Sequence, residues 1–286
     1  MKKLGFLLSE QFDVAGFTIL VEKEKGAQLI YCPYIINTFS KKTQDKADFI
    51  LTIKKSCNIE KDPDDKQLYI NDDFIIMDYG SETERLYIES NKSLSNWSLY
   101  TSYRDGQIDN WFDRIGDLFA WAMPNKNAVV IHGVLLEWKG KGIIITAASG
   151  TGKTTHARLW REYENALIIN GDRVLIKEED KQWYAYGIPW CGSSGECINR
   201  KVKIDAIVFL NRGDNNLVNK LLPLDAIGKM FPRIIAPKWH DIYSKKAVDI
   251  TIRCIERVPL FDLYCLPDRQ SVEVLKKALE INNIYE

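Results

Sequence analysis

No run of this sequence approaches the ~20 consecutive apolar residues that a membrane-spanning helix needs. The start, Met1-Lys2-Lys3-Leu4-Gly5-Phe6-Leu7-Leu8, has the basic and apolar opening of a secretory signal, but Ser9-Glu10-Gln11 ends it early and no small-residue cleavage site follows. Cysteine is sparse. Cys32, Cys57, Cys191, Cys197, Cys254 and Cys265 lie scattered with no C-x-x-C pair, which argues against a zinc framework and a small disulfide scaffold. Cys254 and Cys265 fall in apolar surroundings and read as core residues. The three histidines, His132, His156 and His240, show no metal-ligand spacing. An excess of one charge is missing too: 39 basic against 39 acidic residues leave a formal net charge of +0, which argues against non-specific nucleic-acid binding through a basic surface. There is no internal repeat and no low-complexity linker. What remains is 286 residues, 45% hydrophobic and 27% charged, suited to one large domain or two modest ones. The expectation is a cytoplasmic protein with neither nucleic-acid nor membrane partners; homo-oligomerisation stays open.

Residues 1–105 read as a β-rich accessory or recognition region. Phe17–Val21, Phe49–Ile53, Leu86–Glu89 and Trp97–Tyr100 are strand-like, and Leu68–Ile70 and Phe74–Met77 flank Asn71-Asp72-Asp73 as a hairpin. From Asp109 to Met123 the apolar residues Trp111, Phe112, Ile115, Leu118, Phe119 and Ala122 fall at helical spacing, and Pro124 stops the run. This helix is expected to bridge into a second region, 106–286, that carries the chemistry. Ala128–Trp138 and Gly142–Ala147 read as two apolar strands joined by Lys139-Gly140-Lys141, a connection so short that they must be antiparallel neighbours. An ordinary doubly wound nucleotide-binding sheet would feed the second strand from a parallel neighbour, so the expected class is α/β with a mixed sheet. Further on, Ala166–Ile169 is a buried strand, and Arg173–Ile176 and Trp183–Tyr186 form a hairpin. Strands Ile204–Leu210 and Leu260–Leu266 and helices near Leu224–Phe231, Trp239–Ile255 and Gln270–Leu279 complete the reading.

The chemistry is centred on Ala147-Ala148-Ser149-Gly150-Thr151-Gly152-Lys153-Thr154-Thr155. Gly142–Thr146 leads in with the β-branched residues of a buried strand, and His156–Trp160 leads out as a helix. Strand, glycine loop, Gly-Lys-Thr and helix start make the pattern of a phosphate-binding loop. Glycines let successive backbone N–H groups turn into one concavity, and the helix start adds its dipole and unpaired donors. Ser149 to Thr155 are therefore the candidate contacts for ATP, with Lys153 on the β- and γ-phosphates and the Thr154 hydroxyl on Mg²⁺. By chance G-x-G-K-[ST] appears in roughly one chain in a hundred of this length. Ala147 stands where the usual pattern has its first glycine.

Asp172 follows an apolar strand and is a candidate both for Mg²⁺ and for accepting the proton of an attacking hydroxyl; Asn-Gly-Asp is equally a common turn. His132 lies one strand before the loop, as a candidate catalytic imidazole or a core histidine. His156 is structural or adenine-adjacent. The loop Gly187–Glu196 has the glycines and serines to close over a substrate, and Glu196 is a candidate second metal ligand. Arg200 and Lys201 are candidates for neutralising a transferring phosphoryl group, or a solvated pair.

His132-Gly133-Val134-Leu135-Leu136-Glu137, the short turn, Gly142–Thr146, Ser149–Thr154 and Asp172-Arg173-Val174 occur in the order seen in the HPr kinase/phosphorylase family, which they resemble. The glycine loop also resembles that of ATP-dependent phosphoenolpyruvate carboxykinases, whose nucleotide core is related. The likeness spans roughly residues 128–212 and departs in two places. Gly171 occupies the position of the family's first aspartate, and the Glu-x-Arg-Gly-x-Gly segment of bifunctional HPr kinases is absent. The resemblance implies an HPr-kinase-like core and direct phosphoryl transfer from ATP·Mg²⁺ to a hydroxyl, foremost serine. The acceptor would be a peptide or protein, with ribosomally made natural-product precursors among the candidates. A small-molecule kinase and a non-catalytic nucleotide-binding regulator remain open.

Overall fold

The computed structural model describes residues 6–24, 37–42, 45–55, 68–70, 74–78, 86–101 and 109–282. The chain divides into two compact units, Met1–Ala122 and Met123–Glu286. The division falls after the helix at 109–122, not before it.

In the first unit an eight-stranded mixed sheet runs in the order β3-β1-β2-β4-β8-β7-β6-β5. Its strands are β1 (Phe6–Val14), β2 (Phe17–Glu24), β3 (Ser40–Lys41), β4 (Phe49–Lys55), β5 (Leu68–Ile70), β6 (Phe74–Asp78), β7 (Leu86–Asn91) and β8 (Asn96–Thr101). β4 lies parallel to β2 and to β8, and the other pairs are antiparallel. Period-two alternation buries Phe49, Leu51 and Ile53 on one face. The helix α1 (Asp109–Ala122) covers that face with Ile115, Leu118, Phe119 and Ala122. Phe119 meets Phe17 and Phe49 edge-on at 6.4 and 5.8 Å, and Trp97 stacks on Phe49 at 5.1 Å. Strand β1 was not foreseen. Its opening resembles a secretory signal, but Phe12 and Val14 alternate into the core and the strand pairs antiparallel with β2. The turn expected at Asn71-Asp72-Asp73, like Cys32 and Cys57, lies outside the described residues.

The second unit comprises β9 (Ala128–His132), β10 (Val134–Trp138), β11 (Lys141–Thr146), α2 (Lys153–Glu164), β12 (Leu167–Asn170), β13 (Arg173–Glu179), β14 (Gln182–Gly187), β15 (Lys201–Arg212), β16 (Leu217–Leu221), α3 (Pro223–Met230), β17 (Ile234–Ile235), α4 (Asp241–Ile255), β18 (Leu260–Cys265) and α5 (Arg269–Asn282). The long β15 joins two halves. Its first residues pair antiparallel with β14, and the order continues through β13, β9 and β17; its remainder pairs parallel with β11 and β18. The β10–β11 hairpin is antiparallel, as its short turn requires, so the sheet is mixed.

Both faces of the β10–β11–β15–β18 half are covered. Ile143, Ile145, Ala206 and Val208 pack with Ala157 and Trp160 of α2 and with Val272 and Leu275 of α5. The alternate residues Ile144, Ile207 and Phe209 pack with Ala226 and Met230 of α3 and with Ala247 and Ile250 of α4. Ile143, Ile144 and Ile145 are all fully buried, each contributing about 1.5–3 kcal/mol. Ala128–Trp138, expected as one strand, is two: at Gly133 the chain leaves the β13 side of the sheet for the β11 side, and the Gly133 N–H is donated to the Asp172 carbonyl at 2.9 Å. No helix among the described residues is long and apolar enough to cross a membrane.

Candidate functional site

β11 ends at Thr146, the glycine loop follows, and α2 starts at Lys153. The turn is sharp. Gly152, immediately before the helix, has φ 117°, a backbone state that side chains resist, and Gly150 has φ 74°. No side chain caps α2, so its first N–H groups stay open at the loop. Two contacts fix the loop. The Lys153 ammonium donates to the carbonyls of Ala147 and Ala148 at 3.2 and 3.4 Å, and Arg212 at the end of β15 donates to Gly150 O at 2.6 Å. Ser149 and Gly150 are exposed, and Thr151, Lys153 and Thr154 are half-buried.

A cleft of about 730 Å³ is lined by Thr146–Thr151 together with Asn211, Arg212, Lys229, Arg233 and Tyr264. Positive charge gathers here. Lys229 is held by Asp262 at 3.0 Å, whereas the buried Nε of Arg233 has no hydrogen-bond partner. Burial holds the Lys153 pKa below its ordinary value; Asp172 opposes that shift and Arg233 adds to it. An anion in the cleft would relieve both effects.

Asp172 is placed by a residue the sequence reading passed over. Asn170 is fully buried, and its side-chain oxygen accepts from the N–H groups of Asp172 and Arg173, both at 2.9 Å. Its amide donates to Ile188 O at 2.7 Å. Asn-Gly-Asp is thus a turn, and the turn aims the acid. The Asp172 carboxylate is 35% exposed and lies 3.9 Å from His132 Nδ1 and 3.8 Å from Arg173 Nε. His132, at the end of β9, is 47% exposed, so it is not a core histidine, and its carbonyl accepts from the Thr146 hydroxyl at 2.6 Å. The glycine loop, Lys153, Asp172 and His132 therefore cluster at one end of the sheet.

Gly171 has a steric explanation. A Cβ there would fall 2.0 Å from Ser194 Oγ, so the packing of the 187–196 loop leaves no room for a side chain. That loop supports the Asp172 turn from behind: the Gly171 N–H is donated to Glu196 O at 3.0 Å.

Other candidates lie elsewhere. The Glu196 carboxylate accepts from Arg161 Nη1 at 3.0 and 3.1 Å on the outer side of α2. Arg200 is paired with Glu137 and Lys201 with Glu179, so neither is free to neutralise a phosphoryl group. His156 is buried; its Nε2 accepts from Trp160 Nε1 at 3.2 Å and its Nδ1 lies 3.3 Å from Ser271 Oγ, so it is structural. Cys254 is buried and Cys265 half-buried, and burial raises both thiols, Cys265 to about 11. Thr155 is exposed on the first turn of α2. Among the described residues no group of three or more His, Cys, Asp or Glu is arranged to hold a metal ion.

A family model described as SynChlorMet cassette protein ScmC matches residues 118–262, just over half of the chain. The chain belongs to the ScmC family. The ScmC match spans the glycine loop, the Asp172 turn, and Arg212, Lys229 and Arg233. No curated protein matches the sequence. Among solved structures, the Hpr(Ser) kinase/phosphatase from Coxiella burnetii is 14% identical, with coverage of 55% of this chain and 90% of that one and a TM-score of 0.31. A likeness that shallow does not establish a shared fold.

Proposed function

We propose that this ScmC-family chain is an ATP-dependent phosphotransferase with an HPr-kinase-like core, acting on a hydroxyl, foremost a serine, of a peptide or protein. One observation carries the reading: the glycine loop opens, with uncapped helix N–H groups behind it, onto a cleft that also gathers Arg212, Lys229 and Arg233. Backbone donors and converging cations are what a chain of phosphates requires.

The donor set fits ATP·Mg²⁺. Mg²⁺ takes oxygen ligands and commonly only one or two carboxylates from the protein, the rest coming from phosphates and water. The Thr154 hydroxyl and the Asp172 carboxylate would hold it, and bound there it would offset charge on the β- and γ-phosphate oxygens. Lys153 would leave the Ala147 and Ala148 carbonyls for the phosphates. Asp172, oriented by Asn170, would accept the proton of the attacking hydroxyl, and His132 beside it would hold the acceptor or steady that charge. Rate would come from positioning and charge stabilisation.

Incubation of the full chain with γ-labelled ATP and serine-containing peptides tests the reading. Lys153→Ala and Asp172→Asn are each expected to lower transfer by about a thousandfold or more with the unfolding midpoint retained. Normal turnover by Asp172→Asn removes Asp172 from the mechanism. Label in metabolites but never in peptide assigns a small-molecule kinase, and tight ATP binding without product assigns a regulator.

A further inference from the structure

A second cavity, of about 280 Å³, lies at the other end of the same parallel strands. Lys141 opens β11, Lys203 precedes the register of β15 with β11, and Arg257 belongs to the turn ahead of β18, whereas the glycine loop leaves the far end of β11. The length of β11 separates the two places by about 17 Å.

Lys141, Lys181, Lys203 and Arg257 all line this cavity, and none of their side chains has a hydrogen-bond or ion-pair partner among the described residues. Several other cations of the unit are matched: Arg161, Arg200, Lys201, Arg253 and Lys276 each hold a carboxylate. Asp205 is the one lining carboxylate, and it is engaged by the Gly142 N–H at 3.0 Å. Glu178 is held by Arg253, and Glu179 by Lys177 and Lys201. Trp183 forms part of the wall; it is 3% exposed, and its buried indole N–H has no acceptor. Four cations line one cavity with Asp205 as the carboxylate among its described lining residues, so the lining carries an excess of positive charge that an anion between them would offset.

Size limits the ligand. Pockets for drug-sized molecules occupy roughly 300–1,000 Å³, so this cavity takes a small molecule and not a folded peptide. We propose that it binds a small anion bearing one or two phosphoryl groups, whose several strong acceptor oxygens answer several donors at once. The proposal does not depend on the phosphotransferase reading.

Calorimetric titration of the full chain with inorganic phosphate, pyrophosphate and glycerol phosphate tests it, using Lys153→Ala so that the glycine loop does not compete. One saturable site is expected for at least one of these probes, and the arms tell free phosphate from an ester. Lys203→Gln and Arg257→Gln should each weaken it by about tenfold without shifting the unfolding midpoint. In the unsubstituted chain, pyrophosphate should show two binding events, of which Lys203→Gln weakens one by the same factor and leaves the other unchanged. Absence of saturable binding overturns the proposal, as does affinity unchanged in both variants. Equally tight binding of malonate at the same ionic strength overturns the phosphoryl assignment.

Discussion

Where the glycine loop leaves β11, cations stand beside backbone donors, a left-handed glycine and an acid aimed by a buried asparagine. Where β11 begins, four cations surround a small cavity whose one carboxylate is already engaged. The charges have the same sign and the order is different. At the first end Asp172 is close enough to oppose the burial that lowers the Lys153 pKa, so opposite charges are held at set places. A reaction requires that. At the second end four cations face one carboxylate, Asp205, among the described lining residues, an excess suited to attraction.

The largest expected effect separates the ends by function: Lys153→Ala and Asp172→Asn lose transfer yet keep pyrophosphate binding at the far cavity. The next separates two uses of glycine. Gly142 is needed for space, because a Cβ there would lie 2.3 Å from the Lys203 carbonyl oxygen, a backbone atom that cannot step aside. Gly142→Ala should cost about 2–3 kcal/mol of stability in urea unfolding. Gly152 is needed for conformation, having φ +117° and nothing within 4 Å of the added atom. Gly152→Ala should cost less, about 1–2 kcal/mol, while ATP binding suffers more than stability. Equal losses in both measures for both variants would break the distinction.

Acid should weaken the fold through His156, on the helix that follows the glycine loop. Burial pushes the His156 pKa from 6.5 down to about 4, so the folded chain prefers the neutral ring. As pH falls below about 6.5 the unfolded chain takes up a proton that the folded chain refuses. Stability is therefore full above that pH and is lost towards pH 4. Between pH 7 and 4.5 the native chain should lose roughly 2–3 kcal/mol more than His156→Gln, read from urea midpoints.

Legibility in the sequence followed the strength of local signals. Ile143-Ile144-Ile145 before a glycine loop and a helix start can be read directly because β-branching, turn chemistry and periodicity agree there. The Lys139-Gly140 turn likewise dictates the β10–β11 pairing. The break at Gly133 is invisible because both sides of it are apolar, and the two strands separate only when each finds its partner. Within the site, Asn170 carried a signal, an asparagine two residues before the candidate acid, that the Asn-Gly-Asp turn could have exposed. Arg212, Lys229 and Arg233 carried none. They are single basic residues at the ends of separate elements, and only the fold brings them to one cleft. The far-end cations are the same case, contributed by four segments.

Arg233 gives the smallest effect. Its Nε is buried without a partner while it stands near enough to Lys153 to lower that group's pKa. An unpartnered buried donor costs stability, roughly 1–3 kcal/mol, so its retention needs a return. Arg212 already has one, the Gly150 carbonyl at 2.6 Å. If the return for Arg233 is a phosphate oxygen, Arg233→Met should weaken ATP binding by about five- to tenfold and leave urea stability equal or higher, since the orphaned donor is gone. Pyrophosphate affinity at the far cavity should not move. Unchanged ATP affinity with lower stability would instead place Arg233 in the packing beneath the cleft, leaving Lys153, Arg212 and Lys229 as the cations available to a ligand at that end.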